Sequence, residues 1–258
     1  MTEPHTAMTN IDLSGHTALI TGASSGLGAR FAHVLAAAGA RVVIAARRID
    51  RLSALKDDIQ AAGGVVHAVA LDVNQLDKID SFYQTLDAAG FMPDILVNNA
   101  GMNISKNALE LTPEEYQTIV STNMNAPFFL ATAFARHHIQ AKNQARVINI
   151  SSVGGTRVLP GITAYCMSKS GILMMTRGLA REWARHDINV NAICPGYIET
   201  EINDFWWKTD GGKKQMATWP RRRLADQSDL DGALLLLSGP MGAGMTGTSI
   251  TVDDGQYI

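Results

Sequence analysis

A chain of 258 residues, 46% of them hydrophobic, carries enough apolar surface for one large core and reads as a single domain. Its 22 basic and 24 acidic residues are spread along the chain and leave a net charge of −2, which excludes the field needed to gather nucleic acid or an anionic membrane and leaves a small molecule as the partner. The two cysteines, Cys166 and Cys194, form no disulfide framework or metal-ligand spacing, so they read as reduced thiols of a cytoplasmic protein without a metal site.

Residues 1–12 read as a flexible polar tail ahead of a domain over 13–258. Met1 to Asn10 has no apolar signal core, and no apolar run approaches the roughly 20 residues that span a bilayer. The first strand is expected at Thr17–Thr21. It runs into Thr21-Gly22-Ala23-Ser24-Ser25-Gly26-Leu27-Gly28, and Gly26–Ala38 has helical composition. Gly22 permits a tight turn, Gly26 lets backbone approach a pyrophosphate, and Gly28 lets helix and strand pack closely; Ser24 and Ser25 add hydroxyl donors, and the helix N-terminus adds free N–H groups. A glycine-rich turn alone is weak evidence, so the strand that follows matters more.

That strand, Arg41–Ala46, ends in Ala45-Ala46-Arg47-Arg48. A fold selecting NAD places an acid there to accept from the ribose 2′-hydroxyl. Ala46 cannot accept, whereas Arg47, with Arg48 beside it, can pair with a 2′-phosphate, so NADP(H) is expected over NAD(H).

Helix Asp50–Ala61, strand Val65–Ala70, helix Leu76–Ala88, strand Asp94–Asn98 and the long helix Pro113–Ala135 come next. Strand Arg146–Ser151, helix Thr163–Arg185, strand Asn189–Ile193, helix Asp229–Ser238 and strand Ser249–Val252 complete the chain. This alternation predicts an α/β fold: a doubly wound parallel seven-stranded Rossmann-type sheet with helices on both faces, binding its ligand beyond the carboxyl ends of the strands. One segment, 199–223, breaks the rhythm and reads as a mobile substrate lid. Gly211-Gly212 would be its flexible point, and Phe205, Trp206, Trp207 and Trp219 would line an apolar pocket. The competing reading has these tryptophans packing the lid's underside.

Three more motifs follow the glycine turn in fixed order: Asn98-Asn99-Ala100-Gly101, Ser151-Ser152-Val153 and Tyr165-Cys166-Met167-Ser168-Lys169. Together they resemble the short-chain dehydrogenase/reductase family from about Leu13 to the C-terminus. The resemblance implies an oxidoreductase that interconverts a ketone and a secondary alcohol by hydride transfer. It gives Asp72 and Val73 to the adenine, and the backbone of Asn99, with Ala100 and Gly101 beside it, to a ribose. Asn123 would hold a water in a proton relay. Pro195, Gly196 and Ile198 would seat the nicotinamide carboxamide, with Thr200 near the phosphates. Relatives are often tetramers, and Phe128-Phe129-Leu130 and Ile172-Leu173-Met174-Met175 look like faces that pack between subunits of a homotetramer.

The catalytic set is Asn123, Ser152, Tyr165 and Lys169. Tyr165 and Lys169 are spaced i and i+4 and share a helix face. Bringing a phenol from about 10 to about 7 takes roughly 4 kcal/mol, about what an ammonium about 4 Å away supplies at an effective dielectric of about 20. Tyr165 then serves as general acid in reduction and base in oxidation. Ser152 would donate to the carbonyl oxygen and is no nucleophile, because a G-x-S-x-G elbow is absent. Taken singly, a helix tyrosine is ordinarily packing and a lysine four residues on a solvated cation; taken with Ser152 and the glycine turn, they read as machinery. Two rivals stand beside this reading: a 3-oxoacyl-thioester reductase that meets a phosphopantetheine through Arg221-Arg222-Arg223, and a non-catalytic dinucleotide-sensing protein. His137-His138 read as solvating a helix end.

Overall fold

The computed structural model describes residues 11–198 and 204–258. Seven strands alternate with helices: β1 (Thr17–Thr21), α1 (Gly26–Ala37), β2 (Arg41–Ala46), α2 (Ile49–Ala61), β3 (Val66–Ala70), α3 (Ile79–Ala88), β4 (Ile95–Asn98), α4 (Pro113–Val120), α5 (Ala126–Ala141), β5 (Ala145–Ile150), α6 (Thr163–Trp183), β6 (Ile188–Pro195), α7 (Asp204–Lys208), α8 (Asp210–Ala217), α9 (Asp231–Ser238) and β7 (Ser249–Val252). Every pairing is parallel, in the order β3-β2-β1-β4-β5-β6-β7.

A parallel sheet covered on both faces shows no side to water, so its central strands are apolar throughout. β1, TALIT, is buried at all its positions. Its side chains alternate between two cores. Ile20, Ile44 and Ile148 meet Phe31 and Leu35 of α1, Leu52 of α2 and Leu234 of α9. On the other face Leu19, Val43, Leu96 and Val147 meet Leu86 of α3, Phe134 of α5 and Leu179 of α6. The chain moves outward through β2 and β3, then returns to β4 on the far side of β1. Strand order therefore reverses between β1 and β4, and a crevice opens there beyond their carboxyl ends.

Three sequence expectations shift. The helix expected at Pro113–Ala135 runs to Ala141 and is interrupted by a π turn at Ser121–Asn125, a device that widens a helix where a functional residue sits. His138 does not solvate a helix end: it is buried, its Nε2 lies 2.8 Å from the Pro93 carbonyl, and burial lowers its pKa. Asn143 and Lys142 bend the chain back over it instead, Lys142 taking the left-handed conformation at φ +57. Of the expected tail, residues 1–10 lie outside the described residues, while Ile11 packs on the core below α9 and Leu13 is wholly buried.

Candidate active site

The glycine turn after β1 is shaped by close approaches. Gly22 has φ +66, and a Cβ there would stand 2.9 Å from Ala100 Cα. A Cβ on Gly28 would lie 2.4 Å from the Gly22 carbonyl oxygen, so no other residue lets α1 pack so near the turn. Asn99 braces the same turn from β4, its Nδ2 donating to the Thr21 carbonyl at 2.9 Å; Thr21 Oγ1 accepts from the backbone N–H of Asn99 and of Ala100, both at 3.1 Å. The side chain of Asn99 is thus spent on the turn, and its backbone is what remains to face a ligand.

Ser25 is the N-cap residue of α1, yet its side chain makes no capping bond, and the first turn of the helix holds no acid. Those N–H groups and the positive end of the helix dipole remain open, which is the condition for anion binding. Arg48 reaches over them. Its Nη2 donates to Ser24 Oγ and Ser25 Oγ, each at 2.8 Å, so both hydroxyls keep their protons free. Arg47 is exposed beside it, and the preceding Ala46 is buried and carries no carboxylate. An open helix N-terminus, two serine hydroxyls and two guanidinium groups fit a dinucleotide carrying an extra phosphate. After β3, Asp72 Oδ1 accepts from the Asn74 N–H at 3.1 Å, and Val73 is buried; Asn74 is fastened to Thr122, just before Asn123, by a side-chain bond of 3.1 Å.

Asn123 is buried in the π turn, and its amide is fully used. Nδ2 donates to the Met102 carbonyl at 2.9 Å and to Ser168 Oγ at 3.0 Å, while Oδ1 accepts from the Met102 N–H at 2.9 Å. It pins the loop after β4 to α6. A Cβ on Gly101 would sit 3.5 Å from both Asn123 Oδ1 and Lys169 Nζ, which places this loop against both side chains.

Ser152 lies two residues beyond β5 and is buried, with Oγ accepting from the Gly154 N–H at 3.0 Å. Tyr165 and Lys169 stand on the first turns of α6. Lys169 is 5% exposed, donates from Nζ to the Ile150 carbonyl at 2.8 Å, and lies 5.6 Å from the centroid of the Tyr165 ring. Burial pushes the Lys169 ammonium down to about 8 and the Tyr165 phenol up to about 12, against a hydrogen bond from Ser152 that lowers it. In this structure burial works against the lowering of the phenol that the Tyr165–Lys169 spacing suggests. Its ammonium is directed at a backbone carbonyl, and desolvation outweighs its field.

Beyond β6, Pro195 and Ile198 are buried and the Gly196 N–H donates to the Val252 carbonyl at 3.0 Å. Thr200 lies outside the described residues, as does the side chain of Phe205. Trp207 and Trp219 are buried around Tyr197, with ring centroids 5.0 and 5.3 Å from its ring. Trp206 is 47% exposed and donates to Gln215 Oε1 at 3.1 Å. Gly211-Gly212 is no flexible point: both lie in α8, where a Cβ on Gly212 would stand 2.2 Å from the Trp206 carbonyl oxygen. They are small because two short helices meet there.

Sequence reasoning passed over Tyr197, although it stands between two named residues, and the C-terminal Asp253–Ile258. A polar DDGQY run after the last strand was the available signal.

A doubly wound sheet with an open glycine turn at its switch point, and a serine, tyrosine and lysine converging beyond β5, defines a dinucleotide-fold oxidoreductase. The family model for short chain dehydrogenases matches residues 16–211. A gluconate 5-dehydrogenase of Gluconobacter oxydans is 32% identical over 251 residues, covering 95% of this chain and 96% of that one. The 3-oxoacyl-acyl-carrier-protein reductase FabG of Vibrio cholerae is 33% identical, covering 96% and 100%. A solved gluconate 5-dehydrogenase from Burkholderia cenocepacia, in complex with NADP and tartrate, superposes with a TM-score of 0.91 at 30% identity, covering 95% and 96%. The chain belongs to the short-chain dehydrogenase family, and it is an oxidoreductase acting on CH–OH groups, interconverting a ketone and a secondary alcohol.

Proposed function

We propose that this oxidoreductase is an NADP(H)-dependent carbonyl reductase in which Tyr165 hands its proton to the substrate oxygen. The observation that carries the reading is the Tyr165 phenol set between Ser152 and Lys169. Burial raises the Tyr165 pKa, so the phenol carries its proton and can donate it in the reductive direction. Ser152 turns its one hydroxyl proton to the carbonyl oxygen as charge gathers there. Lys169, still largely cationic at neutral pH because its pKa stays near 8, stabilises the phenolate left behind.

Gly22, Ser24, Ser25, Gly26, Leu27 and Gly28 would hold the pyrophosphate, Arg47 and Arg48 the 2′-phosphate, Asp72 and Val73 the adenine. Asn99, Ala100 and Gly101 would flank the ribose, and Pro195, Gly196, Ile198 and Thr200 the nicotinamide end. Bound NADPH supplies the hydride. The NADP of the Burkholderia cenocepacia relative and the missing acid at Ala46 support this choice over NAD(H). No helix among the described residues is long and apolar enough to cross a membrane, and we place the enzyme in the cytoplasm. Of the two runs expected between subunits, Leu130, Ile172 and Leu173 are buried within the protomer, and the exposed Phe128, Phe129 and Met174 would form the faces of a homotetramer.

The relatives that reduce 3-oxoacyl thioesters favour a second reading. Against it, Arg221 Nη1 lies 3.0 Å from Asp254 Oδ1 and Arg223 Nε 2.7 Å from Asp254 Oδ2, which leaves Arg222 alone of the three for a phosphate. NADPH consumption over a panel of free ketones and acetoacetyl thioesters tests the choice, with turnover expected on the free ketones. In the same assay Tyr165→Phe is expected to lose a factor of about 10² or more in kcat with NADPH affinity intact; a variant keeping most of its turnover refutes the assignment.

A further inference from the structure

The six residues after β7, Asp253–Ile258, have no part in the reading so far, yet they close on the point where the chain leaves β6. Tyr197 commits its whole backbone there. Its N–H donates to Gln256 Oε1 at 2.6 Å, and its carbonyl accepts from Gln256 Nε2 at 2.9 Å and from the Ala225 N–H at 3.0 Å. Ile198 and Ala225 pair in a short parallel bridge, and both are buried in the core with Leu230 and Leu234. The chain therefore leaves the sheet and comes back to it through one neck, and Gln256 is the side chain that ties this neck to the end of β7.

Gln256 is 5% exposed, and its own placement is fixed. Asp254 and Gly255, at φ +52 and +73, turn the chain back on itself; the Gln256 N–H donates to the Asp253 carbonyl at 2.9 Å and the Gly255 N–H to Asp253 Oδ1 at 3.0 Å. Position 196 has room for glycine alone, since a Cβ there would stand 2.5 Å from Gln256 Oε1 and 2.7 Å from Asp253 Cβ. An amide offers an acceptor and a donor side by side, so glutamine matches the N–H and the carbonyl of one residue, where a carboxylate or an ammonium would leave one of them unpaired. The same turn holds the returning side of the neck: Asp254 Oδ1 lies 3.0 Å from Arg221 Nη1, and Asp254 Oδ2 2.7 Å from Arg223 Nε. Arg157, from the loop between Ser152 and Tyr165, donates to the Tyr257 carbonyl at 3.3 Å.

We propose that Gln256 is a positioning residue for the nicotinamide end of the cofactor: by fixing the Tyr197 backbone it sets the orientation of the peptide units from Gly196 to Ile198, while Asp254 holds the returning side of the same neck. Gln256 touches no reacting atom. The inference rests on the reading that Pro195, Gly196 and Ile198 seat the nicotinamide, and it makes the C-terminal turn the support of that seat. Hydride transfer needs the ring held to within about 0.5 Å, and a seat made of backbone is only as firm as the groups that bond it. The adenine end is independent of this support. Arg47 and Arg48 follow β2, which stands four strands from β6 in the sheet.

The test reads the two ends of the cofactor separately in the full chain, using Gln256→Met, which keeps the length of the side chain and removes its amide. Emission of bound NADPH comes from the reduced nicotinamide and reports on that end; competition by 2′,5′-ADP, which lacks the nicotinamide half, reports on the other. Gln256→Met is expected to lose most of the emission gained on NADPH binding and to lower kcat by about tenfold or more, while its affinity for 2′,5′-ADP stays within about twofold of the wild type. Asp254→Asn is expected to shift both nicotinamide readouts in the same direction by a smaller factor, and it decides the matter where Gln256→Met does not fold. Wild-type emission and kcat in Gln256→Met, or in Asp254→Asn if only that variant folds, overturn the proposal. An equal loss at both ends of the cofactor also overturns it, since a merely structural role would act on both. A wild type that binds 2′,5′-ADP yet shows no emission change with NADPH overturns the nicotinamide seat itself; with that change intact in the wild type, a failure in the variants falls on Gln256 alone.

Discussion

The two sides of the crevice are built by different means. On the cofactor side, between β1 and β4, the ligand surface is mostly backbone: a turn forced into shape by Gly22 and Gly28, held by Thr21 and Asn99, and fringed by Arg48. Beyond β6, the wall is made of large side chains from three separate segments, with Trp207, Trp219, Tyr197 and Tyr257 resting on one another. The first kind of site tolerates no change at a few small residues and accepts one ligand shape. The second can be rebuilt by exchanging side chains while the sheet stays as it is, which is how a single fold comes to serve many substrates.

The sharpest way to break this comparison is to treat Trp207 as a pocket residue. Its indole is buried against Tyr197 and Trp219, so Trp207→Ala is expected to cost about 3–5 kcal/mol of stability, the usual loss for a buried aromatic. Trp206, half exposed on α7, is expected to cost within about 1 kcal/mol on the same substitution. Chemical denaturation of both variants measures the difference, and equal, small losses would return Trp207 to the substrate pocket.

On the cofactor side the expected effect is smaller and lies in selectivity. NADPH is expected to bind at least about tenfold tighter than NADH, a gain of about 1.4 kcal/mol. Ala46→Asp with Arg47→Ala and Arg48→Ala is expected to reverse the order, because the acid then accepts from a 2′-hydroxyl and repels a 2′-phosphate. Direct titration reads both constants, and equal affinity in the parent protein would remove the argument from Ala46.

The smallest effect is in the pH profile. The Lys169 ammonium exists below its lowered pKa of about 8 and is lost above it, whereas Tyr165, raised to about 12, stays protonated across the same range. Reductive kcat is therefore expected to fall as pH rises through about 8 and to show no separate tyrosine limb below about pH 10. Lys169→Met is expected to be slower and flat through that region. A wild-type kcat that stays level between about pH 7 and 10 would show that the charge of Lys169 does not matter to the step.

Much of the fold was legible because its determinants are local. Each strand is an apolar run of the length a buried parallel strand needs, and each helix carries its own period, so the element order and doubly wound class followed from the chain alone. The motif residues Gly22, Gly28, Ser152, Tyr165 and Lys169 were equally legible, since their spacing is set by a turn or a helix face. Boundaries were less so. The helix after β4 runs past Ala135 to Ala141 and passes through a π turn, because the fit of Asn123 to Met102 and Ser168 decides the winding there.

What the sequence determined by itself, then, is the class of sheet, the place of the glycine turn and the helix face that Tyr165 and Lys169 share, all consequences of patterns within a few residues. Only the tertiary structure set the burial of Tyr165 and Lys169, which pushes the phenol up and the ammonium down, since desolvation depends on everything packed around them. It alone turned Gly211-Gly212 from a hinge into a helix contact and His138 from a solvated residue into a buried one. It alone brought Gln256 and Tyr257 to Tyr197, some sixty residues away in the chain, because such meetings are fixed by how β6 and β7 pair in the sheet and leave no periodic trace in either segment.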